Sequence, residues 1–491
     1  LKSGTDYYTD RRKLRIAYGT SGTPFGSYEE DAFTVNENNT EFTLNYNKKL
    51  NSDFNLEVLA GTNIRTKPYE ENDQKAPRLA VAGVYTLTNS RDPLVSSNNY
   101  YNLKTYSVFG SAQLGFRNYA FLNLTARNDW SSTLPQSNLS YFYPSVNGSL
   151  ILSDAFDIKS DVLSYAKVRG GWSKVGNDAT PYQLINYYPF ITPPFGSNPM
   201  LTAASLYLNA NLKPETTTST EVGLEAGLFR NRVRLDLSFY SSSSYNQILS
   251  VDISPTTGYS QKLINAGRLN NKGLEAQLGL SVLKTTHFTW DINANYALNR
   301  SKLISLDNEG LLKNYVLGSD GSIQTIATVG KAYGNLFGTA YLRNSAGQII
   351  VNDDGSPATN PNNKILGKYT PDWLGGITNT FTYDHFSLSV LVDGSFGGSQ
   401  YSSTNATGAY TGVLALTLPG RDAAHGGLSY YYPGNDNTQL PVAGTTGPGG
   451  EKVYDDGIVF KGVTQDGKPN KAITPASQYY KNLNNIDEAW V

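Results

Sequence analysis

Apolar and polar residues alternate one by one along much of this chain. In 232–239, Val233, Leu235, Leu237 and Phe239 alternate with Arg232, Arg234, Asp236 and Ser238. In 273–282, Leu274, Ala276, Leu278, Leu280 and Val282 alternate with Gly273, Glu275, Gln277, Gly279 and Ser281. In 288–299, Phe288, Trp290, Ile292 and Tyr296 fall on one parity and Asp291, Asn293, Asn295 and Asn299 on the other. A period of two sends successive side chains to opposite faces of a strand, whereas a helix repeats its apolar positions every three or four residues. The same pattern marks 41–49, 53–63, 104–116, 119–129, 142–152, 164–174, 219–228, 375–383 and 386–397, and more weakly 12–20. The chain therefore reads as all-β, one strand followed by six hairpins, with thirteen strands in total.

The segments are commonly 9–13 residues long. Soluble strands centre on about 5–6 residues, and a tilted strand that crosses a bilayer needs about 9–11. One face of each strand must meet water and the other something apolar, either a second sheet or lipid. The connections favour lipid. Short turns such as Arg117-Asn118, Arg230-Asn231, Lys284-Thr285-Thr286, Asp384-His385 and Asn51-Ser52 alternate with long Gly/Pro/Ser/Asn-rich stretches at 65–103, 177–216, 301–372 and 399–491. Tight turns at one end and large loops at the other describe an up-and-down antiparallel transmembrane β-barrel, in which every backbone group is satisfied without a free edge. An odd strand count and a long final stretch without strands are expected of a barrel that continues outside these 491 residues. A start at Leu1-Lys2-Ser3 rather than Met is expected of a processed or shortened chain.

Composition narrows the function classes. Lys+Arg is 40 and Asp+Glu 41, giving a net charge of -1, which lacks the basic excess of a nucleic-acid binder. The chain contains no Cys and three His, so disulfide frameworks, thiolate chemistry and His-rich metal centres are not expected. Charged residues make up 16% and aromatics 12%, the reverse of a disordered composition. No apolar run approaches the ~18 residues of a membrane-spanning helix.

Candidate chemistry is sparse. Asp353-Asp354 and Asp455-Asp456-Gly457 sit among turn formers and read as loop tips, not as catalytic pairs. His287 and His385 fall in short turns and His425 in a long loop, without triad spacing, so they read as exposed and inert. Tyr18, Tyr101, Trp130, Tyr141, Tyr143, Trp172 and Tyr240 lie near strand ends and fit interfacial girdles. Trp130 beside Asn128 and Asp129, the pair Tyr187-Tyr188, and Tyr430-Tyr431-Tyr432 combine rings with hydrogen-bonding groups, as stacking on sugar rings requires. No catalytic residue, metal site or cofactor is expected. Two other classes remain open on this reading: a secreted β-rich carbohydrate-active enzyme, and a structural barrel in an envelope complex.

Particular strings add to the pattern. Ala126-Arg127-Asn128-Asp129-Trp130-Ser131-Ser132-Thr133-Leu134-Pro135 precedes Phe142-Tyr143-Pro144-Ser145-Val146. Lys167-Val168-Arg169-Gly170-Gly171-Trp172, Val175-Gly176-Asn177-Asp178 and Leu212-Lys213-Pro214-Glu215-Thr216-Thr217 follow. Asn271-Lys272-Gly273-Leu274-Glu275, Pro371-Asp372-Trp373-Leu374-Gly375-Gly376 and Asn484-Asn485-Ile486-Asp487-Glu488-Ala489-Trp490-Val491 complete the series. In this order the strings resemble the SusC/RagA-like family of TonB-dependent outer-membrane transporters of Bacteroidetes-type bacteria. The resemblance implies a 22-stranded barrel with an N-terminal plug, of which 1–491 would be the middle portion and would lack the plug. It implies outer-membrane import of oligosaccharides or peptides, a SusD-like surface lipoprotein as lid, and energy from TonB–ExbB–ExbD. On it, Asn128, Asp129, Trp130, Asn177, Asp178, Tyr187, Tyr188, Tyr430 and Tyr431 are the candidate contacts for ligand or partner, and the long loops are extracellular.

Overall fold

The computed structural model describes residues 1–196, 198–307, 309–432 and 441–491. Thirteen strands follow one another in the sheet in the order they have along the chain. They are β1 (Lys2–Ile16), β2 (Ser27–Lys49), β3 (Phe54–Ala76), β4 (Val95–Phe116), β5 (Ala120–Ser131), β6 (Ser140–Ile151) and β7 (Leu163–Asn177). They continue as β8 (Glu215–Leu228), β9 (Val233–Asp252), β10 (Gln261–Lys284), β11 (Phe288–Ser305), β12 (Trp373–Tyr383) and β13 (Phe386–Phe396). Neighbours from β1 to β10 pair antiparallel. A short strand, Leu206–Tyr207, joins the start of β10 in parallel.

The short turns are where the sequence places them. Arg117 and Asn118 both take positive φ, 47° and 61°, as do Arg230 and Asn231 at 60° and 61°. Left-handed backbone at both central residues matches the twist of the flanking strands, so the hairpins close tightly.

Register divides the sheet into two faces. Val108 of β4 lies opposite Asn128, while Ala112 meets Leu124 and Leu114 meets Leu122. Further on, Val222 meets Phe239, Leu224 meets Leu237, and Leu235 meets Leu278. This apolar face is uncovered: Val108 is 55% exposed, Leu124 47% and Val222 58%. A soluble sandwich would bury these side chains under a second sheet. On β10 the apolar parity runs from Leu274 to Val282, nine residues, which is the span a tilted strand needs for hydrocarbon.

Several strands outrun the expected 9–13 residues: β2 and β3 have 23 each and β10 has 24. β1 also begins and ends earlier than 12–20. The expected loop 65–103 shrinks accordingly, because β3 continues to Ala76 and β4 begins at Val95. Beyond the apolar band both faces are polar, so the period-two signal fades while the ladder continues. Cross-strand pairs support it there, with Lys75 Nζ 2.8 Å from Glu29 and Arg65 Nε 2.6 Å from Glu37.

By its contacts the chain divides into two compact units: Leu1–Ala297 with Gly376–Val392, and Leu298–Gly375 with Asp393–Val491. The second is more ordered than a set of loops. It holds one sheet of Asn314–Asp320, Ile323–Thr328, Asn335–Gly338 and Lys364–Lys368, and another of Leu428–Tyr432, Lys452–Ile458 and Thr474–Pro475. Three of its turns share one design. In Asn344–Gln348, Asn352–Ser356 and Thr464–Lys468 the fourth residue is a glycine at φ 79–81° whose N–H returns to the first carbonyl. Asp353 and Asp354 occupy the tip of the second, as the sequence suggests. Asp455-Asp456-Gly457 does not form a tip: it lies in the strand Lys452–Ile458, with Asp456 2% exposed and accepting from the Tyr430 hydroxyl at 2.9 Å.

Candidate functional site

The polar face of the first unit carries a dense wall of paired groups. Near one end, the Arg127 guanidinium donates to Asp129 at 2.8 Å and to Ser107 Oγ at 2.7 Å. The Tyr143 hydroxyl donates to the same carboxylate of Asp129, whose residue is only 6% exposed. Ser131 Oγ donates to Asp178 and shares a 3.0 Å hydrogen bond with Thr133. These contacts follow from register: Asp129 lies opposite both Ser107 and Tyr141, and Arg127 opposite Tyr143. Further along the wall, Arg169 donates to Glu225 at 2.9 Å, to Asp236 at 2.8 Å and to Ser238 Oγ at 2.5 Å, while Lys167 reaches Glu225 at 3.0 Å.

The candidate residues divide between these surroundings. Asp129 and Asp178 join the wall, tied to it through Arg127 and Ser131. Asn177 ends β7 and donates to Glu215 at 3.2 Å. Asn128 takes the apolar parity and exchanges hydrogen bonds with Ser140 at 2.9 and 3.2 Å. Trp130 shares that parity, opposite Tyr106. Tyr187 and Tyr188 stand apart from the wall, 60% and 66% exposed in the connection between β7 and β8. Tyr430 stacks on Tyr454 at 5.8 Å and Tyr431 is exposed, both in the second unit. The side chain of Tyr432 falls outside the described residues.

The girdle reading is corrected for several rings. Tyr101, Tyr141, Tyr143 and Tyr240 belong to the polar parity, whereas Trp130 and Trp172 keep the apolar one. Tyr101 stacks on Tyr69 at 4.7 Å, Tyr141 on Tyr143 at 5.9 Å, and Tyr240 lies over Gly273, which has no side chain to exclude it. Strand-end position alone does not reveal parity. Tyr18 stands outside β1, edge-on to Phe25. All three histidines are exposed, and two are engaged: His287 Nδ1 lies 2.6 Å from Asp384 and His425 Nδ1 2.8 Å from Asp422.

Sequence reading missed the anchoring role of two motifs in the second unit. Asp487 is fully buried and accepts from Ser322 Oγ at 2.6 Å and from the Thr339 N–H and hydroxyl at 2.9 and 3.0 Å. Glu488 beside it accepts from the Tyr341 N–H at 2.8 Å and from Arg343 at 2.7 Å. In Pro371-Asp372-Trp373, Asp372 takes Lys368 at 2.7 Å and Arg300 at 3.0 Å, which hold its carboxyl below the usual range, and Trp373 stacks on Phe396 at 3.8 Å. Among the described residues no group of three or more His, Asp or Glu side chains is arranged to hold a metal ion. The wall offers hydrogen bonds and paired charge.

Comparison with known proteins fits this geometry. A family model described as TonB dependent receptor-like, beta-barrel, matches residues 1–446. TonB-dependent receptor P26 of Formosa agariphila is 25% identical over 402 residues, covering 74% of this chain and 39% of that protein. TonB-dependent receptor SusC of Bacteroides thetaiotaomicron is 26% identical over 356 residues, covering 64% of this chain and 35% of that protein. The structure of the RagAB peptide transporter matches with a TM-score of 0.69 at 19% identity, over 83% of this chain and 46% of that one. The chain thus spans less than half the length of these relatives.

Proposed function

The chain belongs to the TonB dependent receptor-like β-barrel family of outer-membrane proteins, and from that premise we propose that it forms part of the wall of an importer for oligosaccharides or peptides. The observation that carries this reading is the two-faced sheet: an uncovered apolar face on one side and, on the other, a continuous wall of hydrogen-bonded side chains. The first suits lipid, and the second suits a water-filled passage for a polar solute.

The partners in this reading are a SusD-like lipoprotein over the long connections and TonB–ExbB–ExbD as the energy source. Exposed Tyr187 and Tyr188 belong to a charge-free stretch, 179–212, suited to a protein partner or a glycan. Purification of the full-length protein from native outer membranes, with mass spectrometry of what accompanies it, tests the proposal. A SusD-like lipoprotein and a bound oligosaccharide or peptide are expected. A protein that buffer alone releases from the membrane fraction, with neither companion, would overturn it.

A further inference from the structure

The apolar face changes character at one row. Val222, Phe239 and Leu274 lie side by side and close the apolar band toward the long connections. The next row is Trp172, Thr220, Ser241 and Lys272, and the one beyond it Lys174, Thr218, Ser243 and Asn270. Tyr245 faces Arg268 one row further out. Thr218, Ser243, Tyr245, Arg268 and Asn270 line a common recess.

Lys174, Arg268 and Lys272 thus stand on one hydroxyl-rich surface, on which no carboxylate of β7–β10 registers. The carboxylates of these strands, Glu215, Glu221, Glu225, Asp236, Asp252 and Glu275, register on the opposite face, and Glu221, Glu225 and Asp236 lie within ion-pair distance of Lys167 or Arg169 there. Arg268 Nε donates to Ser243 Oγ at 3.0 Å, which fixes the guanidinium against the sheet and leaves its remaining N–H groups outward. Asn270 Oδ1 is buried and accepts no hydrogen bond.

We infer that this patch binds the phosphorylated headgroup of a membrane lipid whose acyl chains lie along the apolar band beneath it. Two features select that occupant. The patch is continuous with the face that lipid covers, so its ligand must share the membrane. Its charge is complementary to phosphate, which a guanidinium and two ammonium groups take up with help from Ser and Thr hydroxyls. The inference rests on the membrane-spanning reading above.

Native mass spectrometry of the full-length protein in detergent tests it, with diphosphorylated lipid A, its dephosphorylated form and inorganic phosphate as probes. The unaltered protein is expected to retain the diphosphorylated lipid and to release the dephosphorylated one. Each of Lys174→Gln, Arg268→Gln and Lys272→Gln should weaken retention about fivefold, and the triple variant about a hundredfold. Arg268→Lys should keep most of it. Equal retention of both lipids by the unaltered protein overturns the inference even if the triple variant fails to fold. So does wild-type retention in a folded triple variant, or displacement of lipid by millimolar inorganic phosphate. Detergent-dependent extraction is scored on the same preparation: its loss sinks the membrane reading, whereas extraction without headgroup selectivity sinks only this inference.

Discussion

The guanidinium of Arg169 in β7 crosses the whole width of β8 to meet the carboxylate of Asp236 in β9 at 2.8 Å. Gly223 makes the crossing possible. It lies opposite both Arg169 and Ser238, and a Cβ there would stand 2.6 Å from Arg169 Nε and 2.7 Å from Cζ. Gly223 is thus part of the wall's charge pairing, not a point of flexibility.

Replacement Gly223→Leu should displace the guanidinium and cost about 1–3 kcal/mol through overpacking and loss of the pair. Urea titration of the protein in vesicles, read by tryptophan fluorescence, measures it. In an Arg169→Ala background the added cost of Gly223→Leu should shrink markedly, since the clashing group is gone. A full additive loss would show that Gly223 acts independently of Arg169.

The two faces respond to opposite substitutions. Leu235 sits within the apolar band between Ala226 and Leu278. Leu235→Arg should therefore impair insertion by roughly 2–4 kcal/mol if it lies at midplane. Arg234→Leu, one residue away on the polar wall, should leave insertion intact. Equilibrium folding into lipid vesicles distinguishes them, and a reversal of the two effects would place the register one residue out.

Much of this fold was legible in the sequence because lipid and water impose a strict parity. From β2 onward the sheet strands carry it over their apolar band, and the tight turns between them carry recognisable residues such as Arg117-Asn118; β1 does not, since Tyr7, Thr9, Arg11 and Lys13 register with the apolar parity of β2. Extensions such as 27–38 were not legible: Ser27 to Asn38 contains carboxylates and amides on both parities, and only pairing to β3 and β1 reveals it as strand. The candidate site was legible in part. Asp129 and Asp178 proved to belong to the wall, but their partners Arg127, Ser131 and Tyr143 required register across three strands. The role of Asp487 depends on Thr339, 148 residues away, a separation no local pattern encodes.

Asp487→Ala should loosen the second unit without affecting the sheet of the first. It would leave the Ser322 hydroxyl and the Thr339 N–H and hydroxyl without their acceptor, at about 1–3 kcal/mol for each buried donor left unpaired. Limited proteolysis should then cut within 306–372 well before any strand from β1 to β10. Unchanged protection of the Thr339 amide in hydrogen exchange would contradict this role.

Asp307 gives the loops an acid-sensitive turn. Its carboxylate accepts the Leu312 N–H at 2.9 Å, with those of Leu311 at 3.0 Å and Gly310 at 2.7 Å, and these hold its pKa below the usual value. A depressed carboxylate pKa stabilises the turn fully above the ordinary aspartate range of about 4 and loses that contribution as pH falls through the lowered value. Exchange of the Gly310–Leu312 amides, corrected for intrinsic rates, should therefore accelerate only at pH below about 4. Asp307→Asn should remove that dependence.

The central claim is that β9 presents alternate residues to lipid and to water across a membrane. Residues 1–491 contain no cysteine, so with any cysteine elsewhere in the full-length protein replaced by serine, single cysteines introduced from 233 to 240 report on one site each. In full-length protein in native outer membranes, positions 234, 236 and 238 should react with a small charged thiol reagent, while 233, 235, 237 and 239 should resist it until detergent is added. Uniform reactivity along the strand, or reaction at the odd positions alone, would contradict the account.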